Sequence, residues 1–125
     1  MKRFNSIKKS KDFKRVYEKR RSVADSVLIL FIDENEEMES NRLGISVSKK
    51  VGNSVIRHTV TRRLREIWRQ ECYRLEKSYD IIVVCREKSR EVDFFQLKKS
   101  FIKLCRKQSL IKEQDDNTKF FDKNN

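Results

Sequence analysis

Residues 42–69 read RLGISVSKKVGNSVIRHTVTRRLREIWR, and this stretch orders the rest of the chain. Leu43, Ile45 and Val47 alternate with Gly44, Ser46 and Ser48, the period of a strand with one branched apolar face and one nearly bare face. The bare face leaves room for a ligand. Lys49 and Lys50 carry positive charge to Gly52, one of two glycines in the chain, where a turn meets little steric resistance. Asn53 or Ser54 can cap the helix that follows, and a helix start beside two lysines favours anions.

In that helix Ile56, Val60, Leu64 and Ile67 fall on one stripe, and His58, Arg62, Arg65 and Arg69 on another well separated from it. The first stripe packs and the second is free to bind. Residues 42–70 hold eight Lys or Arg against a single acid, Glu66, so i,i+4 salt bridging does not account for the charged face. A solvated basic face is the bland reading. A polyanion site is the sharper one.

A chain of 125 residues makes one domain with a single modest core. At 37% hydrophobic and 40% charged residues that core is lean, so stability is expected to depend on a bound partner. A formal charge of +12 argues for nucleic acid or an anionic surface. Cys72, Cys85 and Cys105 are odd in number and lack CxxC spacing, so they read as small buried or half-buried residues in a reducing compartment, not as a metal site. There is no apolar run near the length of a membrane span and no signal-peptide pattern, which predicts a cytoplasmic protein.

Residues 1–21 carry ten Lys or Arg against Asp12 and Glu18. Within them Ser10 can cap a helix to about Lys19, with Phe13, Val16 and Tyr17 on one face. Aromatic rings among lysines either pack in a core or stack on unpaired bases. Residues 22–32 are apolar on both faces and predict one central strand. The acidic segment 33–41 is expected to be a mobile hairpin loop that repels phosphates and points away from a bound polyanion. The basic helix is expected to reach about Lys77, before the apolar run 81–85, IIVVC, which suits a strand buried on both faces. A last helix from about Val92 to Gln108 sets Phe94, Leu97, Phe101 and Leu104 toward the core.

No self-sufficient catalytic motif occurs: there is no GxSxG, HExxH, Walker sequence or cysteine cluster, and the one histidine, His58, lies on the basic stripe.

The run from Arg42 to Glu66, with SVSKKVGNSV leading into an arginine-rich helix, resembles the bacterial ribonuclease P protein component. That family's Arg-Asn-Arg element reads Arg57-His58-Thr59 here, and Thr61 stands where a basic residue is common, while Arg57, Arg62 and Arg65 match. The resemblance extends to the first helix, where Asp12-Phe13 is followed by Tyr17, and covers most of residues 4–107. It implies an α+β fold: a single-domain α/β sandwich of order α-β-β-α-β-α, with a small central sheet and a left-handed βαβ crossover where the right-handed form is the default. The domain would span residues 1–110, with 111–125 a polar tail read as disordered.

The resemblance also implies a function. Members assist a catalytic RNA, which holds the Mg2+ ions and removes the 5′ leader from precursor tRNA; the protein binds the leader and strengthens substrate and metal-ion binding. Lys49, Lys50, Arg57, His58, Arg62, Arg65 and Arg69 would face the RNA subunit. Phe13, Tyr17 and Phe31, with the small residues Gly44, Ser46 and Ser48, would form a cleft for the single-stranded leader. The expected partners are ribonuclease P RNA and precursor tRNA, with no membrane and no small-molecule substrate. Two readings from other classes are a non-catalytic RNA-binding or ribosome-associated protein, and a stand-alone nuclease using the acids between Asp33 and Glu39.

Overall fold

The computed structural model describes residues 6–37 and 39–112. Three helices, α1 (Ser10–Glu18), α2 (Ser54–Glu71) and α3 (Phe94–Lys107), pack on a mixed sheet of β1 (Ser22–Ala24), β2 (Leu28–Glu34), β3 (Arg42–Val47) and β4 (Tyr79–Cys85). The strand order is β1-β2-β4-β3, with β3 and β4 parallel and the other pairs antiparallel. The fold is α+β, and its order α-β-β-β-α-β-α holds one strand more than expected.

The extra strand comes from the run 22–32, which is a hairpin and not one strand. Asp25 breaks it: its Oδ1 accepts the backbone N–H groups of Val27 (2.8 Å) and Leu28 (2.9 Å), so the chain turns locally. Its Oδ2 accepts from Ser100 Oγ at 2.6 Å and pairs with Lys103 at 3.1 Å, which ties the turn to α3.

The segment 33–41 is not a hairpin loop either, because β4 lies between β2 and β3. IIVVC needs neighbours on both edges as well as cover on both faces, so the acidic segment must cross the start of β4. Two asparagines fasten it there. Asn35 N–H donates to Ser78 O (2.8 Å), Asn41 Nδ2 donates to Glu76 O (2.7 Å), and Asn41 Oδ1 accepts Tyr79 N–H (2.7 Å).

Directly paired residues point to the same side of a sheet, so the register sorts the strands into two faces. Leu28, Leu30 and Ile32 of β2, Ile81, Val83 and Cys85 of β4, and Leu43, Ile45 and Val47 of β3 face α2 and α3. There they meet Val60, Leu64, Ile67 and Trp68 of α2 and Leu97, Phe101 and Leu104 of α3, the main core. Trp68 and Phe101 meet edge to face at 6.4 Å. The opposite face carries α1 on a small cluster of Ile7, Val16 and Ile82, with Phe13, Tyr17, Phe31 and Val84 packed against it.

Helix ends follow local chemistry. Asn53 caps α2 by accepting Ile56 N–H at 3.0 Å. Asp93 and Gln96 form a reciprocal capping box at α3. At α1 the N-cap is Lys9, without a side-chain bond, so Ser10 is the first helical residue and not the cap. Helix α2 stops at Glu71, short of Lys77, because the chain tightens into a 3-10 turn and becomes extended at Leu75, which is buried. Leu110 is buried too, and Ile111 bridges Leu75 while Lys112 N–H donates to Arg74 O (2.8 Å). The ordered chain thus passes the expected boundary at 110, and the rest of the expected tail lies outside the described residues.

Candidate RNA-binding surfaces

The turn into α2 is held from below. Val51 is fully buried and Arg90 donates to its carbonyl at 3.4 Å, while Lys49 and Lys50 just before it are exposed. Gly52 is required for space and not for a left-handed backbone, since a Cβ there would lie 2.8 Å from the Ile56 side chain.

Along α2 the two stripes separate as their spacing predicts: Val60, Leu64 and Ile67 are buried, and His58, Arg62, Arg65 and Arg69 are exposed. Lys49, Lys50, His58, Arg62 and Arg65 have no side-chain partner among the described residues. Arg69 differs from them. It donates Nε–H to Glu66 at 2.9 Å, with a second bond from Nη2, and Gln70 adds a third donor, so the helix's one central acid neutralises the last cation of the stripe. Those bonds hold the Glu66 carboxyl below its ordinary range. Arg57 is half-buried, and its Nε–H has no acceptor among the described residues although it is shielded from solvent. Arg63 turns inward to Val92 O (3.2 Å) and serves packing.

On the other side of the sheet the register gives three rows running across the strands. The first is Asp33, Asp80 and Arg42. Asp80 is fully buried, yet its carboxylate takes two bonds from Arg42 (Nε 2.8 Å, Nη2 2.7 Å), one from Asn35 Nδ2 (3.1 Å), and one from Arg15 of α1. Arg15 also binds Asp33, and Asp12 of α1 lies 3.6 Å from Arg42. Burial pushes the Asp80 carboxyl up, but the Arg42 and Arg15 hydrogen bonds outweigh it and hold the group below its ordinary value. This ionic clamp fixes the side of α1 away from its aromatic residues.

The second row is Phe31, Ile82 and Gly44, and here α1 sits down. The tip of the Phe13 ring occupies the space over Gly44, where an added Cβ would meet Phe13 Cζ at 2.8 Å. Tyr17 meets Phe31 edge to face at 4.9 Å and lies 6.3 Å from Phe13. Gly44 is thus the bed of an aromatic wall and not open floor. The bare patch expected to hold a ligand is partly filled by the protein itself.

The third row, Ala24, Ile29, Val84 and Ser46, is the open one. Ala24 is exposed, and Ile29, Val84 and Ser46 are half-buried. Beyond Ser46, β3 ends and the exposed Ser48, Lys49 and Lys50 lead to α2. The outer side of Phe13 and Tyr17 borders a groove of about 570 Å³ that Lys8, Ser10, Lys14, Glu18 and Arg20 also line.

Sequence reasoning missed Ile29, Val84, Lys8, Lys14 and Arg20. Helical i,i+3 spacing places Lys14 beside Tyr17 and could have found it, but the partnership of Ile29, Val84 and Ser46 depends on strand pairing. The acids of the stand-alone nuclease reading do not assemble: Asp33 is bound by Arg15, and Glu34, Glu36, Glu37 and Glu39 are exposed. Among the described residues no group of His, Cys, Asp or Glu is placed to hold a metal ion, and no helix is long and apolar enough to cross a membrane. Cys85 and Cys105 are buried, which pushes both thiols up to about 12 and leaves them unreactive.

A basic helix with unpaired cations, an aromatic-walled groove along α1 and a half-buried row of the sheet that leads by β3 to the start of α2 define a small α+β RNA-binding protein. Comparison with known proteins narrows the class. The ribonuclease P family model matches residues 1–109. The chain is 40% identical over 107 residues to the ribonuclease P protein component of Alkaliphilus metalliredigens, covering 86% of this chain and 96% of that one. Among solved structures, the RNase P protein of Staphylococcus aureus matches with a TM-score of 0.81 at 33% identity, covering 88% of this chain and 100% of that one. The RNase P protein of Thermotoga maritima gives 0.73 at 28% identity, with 80% and 94% covered. The chain belongs to the ribonuclease P protein family. Its role is that of a protein component of ribonuclease P, a partner of the ribonuclease P RNA that acts in tRNA processing.

Proposed function

We propose that the chain works as the non-catalytic half of a cytoplasmic ribonucleoprotein, in which the RNA subunit cleaves precursor tRNA and carries the Mg2+ ions that serve cleavage. The single observation behind this reading is the course of β3. It carries Ser46 in the open row and delivers the chain through Ser48 to Lys49, Lys50 and the unpaired stripe of α2. One polyanion can therefore lie on the stripe while a second strand enters the groove beside it.

On this reading His58, Arg62 and Arg65, with Lys49 and Lys50, sit on the RNA subunit and reduce its repulsion of the substrate. Arg69 contributes less, since Glu66 already holds it. The leader lies along Ile29, Val84 and Ser46 with a base against the outer edges of Phe13 and Tyr17, where stacking is worth about 1–3 kcal/mol per base. Metal ions gain affinity indirectly, because the protein's cations hold the two RNAs together. The acids that do converge on this face are already neutralised by Arg15 and Arg42.

The test is cleavage of precursor tRNA at low magnesium by a bacterial ribonuclease P RNA, with and without the protein, using a long leader and a one-nucleotide leader. The expected result is rescue that requires the RNA and is larger for the long leader. Arg62→Ala with Arg65→Ala should lower the salt dependence of RNA-subunit binding by about 1.8 in log-log slope. Cleavage by protein alone, or no rescue with a cognate RNA, would overturn the reading.

A further inference from the structure

The face of the molecule opposite α1 carries a second cationic surface that neither the stripe of α2 nor the groove uses. Helix α3, FFQLKKSFIKLCRK, contains five Lys or Arg and no acid. Leu97, Phe101 and Leu104 bind it to the core, and Lys99, Lys103, Arg106 and Lys107 remain on its exposed side. Lys99, Lys103 and Lys107 follow one another at four-residue spacing, about 6 Å apart along the axis. Like charges so placed repel along a helix, and such a ladder is normally interrupted by acids.

Beside the ladder lies a groove of about 690 Å³ between α3 and the end of α2, with Ile102 and Phe95 as its apolar lining. Phe95 is 75% exposed, with only Phe94 as an aromatic neighbour among the described residues, edge-on at 5.6 Å. Glu71, the groove's one acid among the described residues, is committed to Arg74 (2.8 Å) and Lys98 (3.3 Å). Asp25 takes Lys103 at 3.1 Å. Lys99 and Lys107 have no partner among the described residues.

We propose that this face binds a segment of single-stranded RNA, with phosphates on the lysine ladder and one base stacked on Phe95. An exposed ring beside a row of exposed cations, two of which, Lys99 and Lys107, have no partner among the described residues, is what sequence-tolerant single-strand binding requires. An acidic peptide would answer the same charges, but it would be expected to insert a side chain into a pocket, and Phe95 stands out from the surface as a platform. Because α1 and α3 lie on opposite faces of the sheet, the segment bound here is distinct from one in the groove beside α1.

The experiment uses the full chain assembled with ribonuclease P RNA, so that the α2 surface is occupied, and a labelled decauridylate as probe. The photoreactive analogue p-benzoyl-phenylalanine replaces Phe95 in one sample and Glu36 in a control. Crosslinking to the probe at position 95 well above the control is expected. In the same assembly Phe95→Ala should weaken decauridylate binding about fivefold or more, and Lys99→Ala with Lys107→Ala should reduce the salt slope by about 1.4. All three side chains are exposed, so an unchanged thermal midpoint verifies that the variants fold. The proposal is overturned if crosslinking at 95 matches the control, if neither variant changes affinity, or if an acidic peptide displaces the probe and itself crosslinks more strongly. Rescue of cleavage that fails for Arg62→Ala with Arg65→Ala but persists in the α3 variants separates this site from the function proposed above.

Discussion

The two faces of the sheet are built from the same strands by different means. Toward α2 and α3 every row is apolar, and burial does most of the holding, with one polar tie from Asp25 to Ser100 and Lys103 of α3. Toward α1 three successive rows are ionic, aromatic and open, and α1 contributes a single fully buried residue, Val16. The first face holds α2 and α3 in place through apolar contact spread over their length. The second holds a short helix by one edge, through Arg15, and leaves its other edge, with Phe13 and Tyr17, beside an opening. On the proposed function this face receives the leader and so is not closed by packing; specific charges fix it instead.

The contrast predicts unequal responses to mutation. Trp68→Ala, on the packed face, should cost about 3–5 kcal/mol and lower the urea midpoint of the whole domain. Asp80→Asn keeps the shape of the ionic row but leaves Arg42 and Arg15 without their buried counter-charge, at a cost of about 3 kcal/mol. Its diagnostic effect is local: leader-dependent cleavage should fall more than affinity for the RNA subunit, because α1 loosens while α2 stays packed. Equal losses in both assays would show that the two faces are not independent.

Gly44→Ala sharpens the comparison at smaller scale. The new methyl group meets the tip of the Phe13 ring at 2.8 Å, so the ring must move outward toward the groove. A cost of about 1–2 kcal/mol is expected, with a change in KM for a long leader and none for a one-nucleotide leader. Unchanged KM for both would mean that the position of the Phe13 ring does not matter to binding.

Much of this was legible in the residues. The alternation of residues 43–48 fixes which side of β3 is apolar, and the spacing of Ile56, Val60, Leu64 and Ile67 fixes the buried side of α2, because burial acts on periodicity directly. The arginine stripe follows by exclusion. Periodicity did not reveal who pairs with whom. The position of β4 between β2 and β3 depends on long-range pairing, and with it go the acidic crossing at Asn35 and Asn41, the ionic row, and the open row of Ile29, Val84 and Ser46. Gly44 reads as empty space because a sequence does not show that Phe13, thirty-one positions earlier, fills it. The hairpin at Asp25 was within reach: Asp-Ser is a turn pair, and the apolar residues on either side concealed it.

The smallest effect tests the polar tie on the packed face. Asp25 sits at the turn of the β1–β2 hairpin and joins it to α3 through Ser100 and Lys103. Burial raises its carboxyl, but the hydrogen bonds from Ser100, Leu28, Val27 and Lys103 prevail and lower it from 3.8 to about 2. A carboxylate with a depressed folded value contributes stability above its unfolded value, and that contribution disappears as pH falls through the folded value. It is therefore complete above about pH 4 and is lost toward pH 2. Asp25→Asn keeps an oxygen for the turn's N–H groups but removes the charge that Lys103 and Ser100 bind, at a cost of about 1 kcal/mol at neutral pH. The expected signature is a difference in urea midpoint between wild type and variant that is constant from pH 7 to about 4 and vanishes near 2. If the difference persisted at pH 2, the charge would not be what joins the hairpin to α3, and the turn geometry alone would carry the connection.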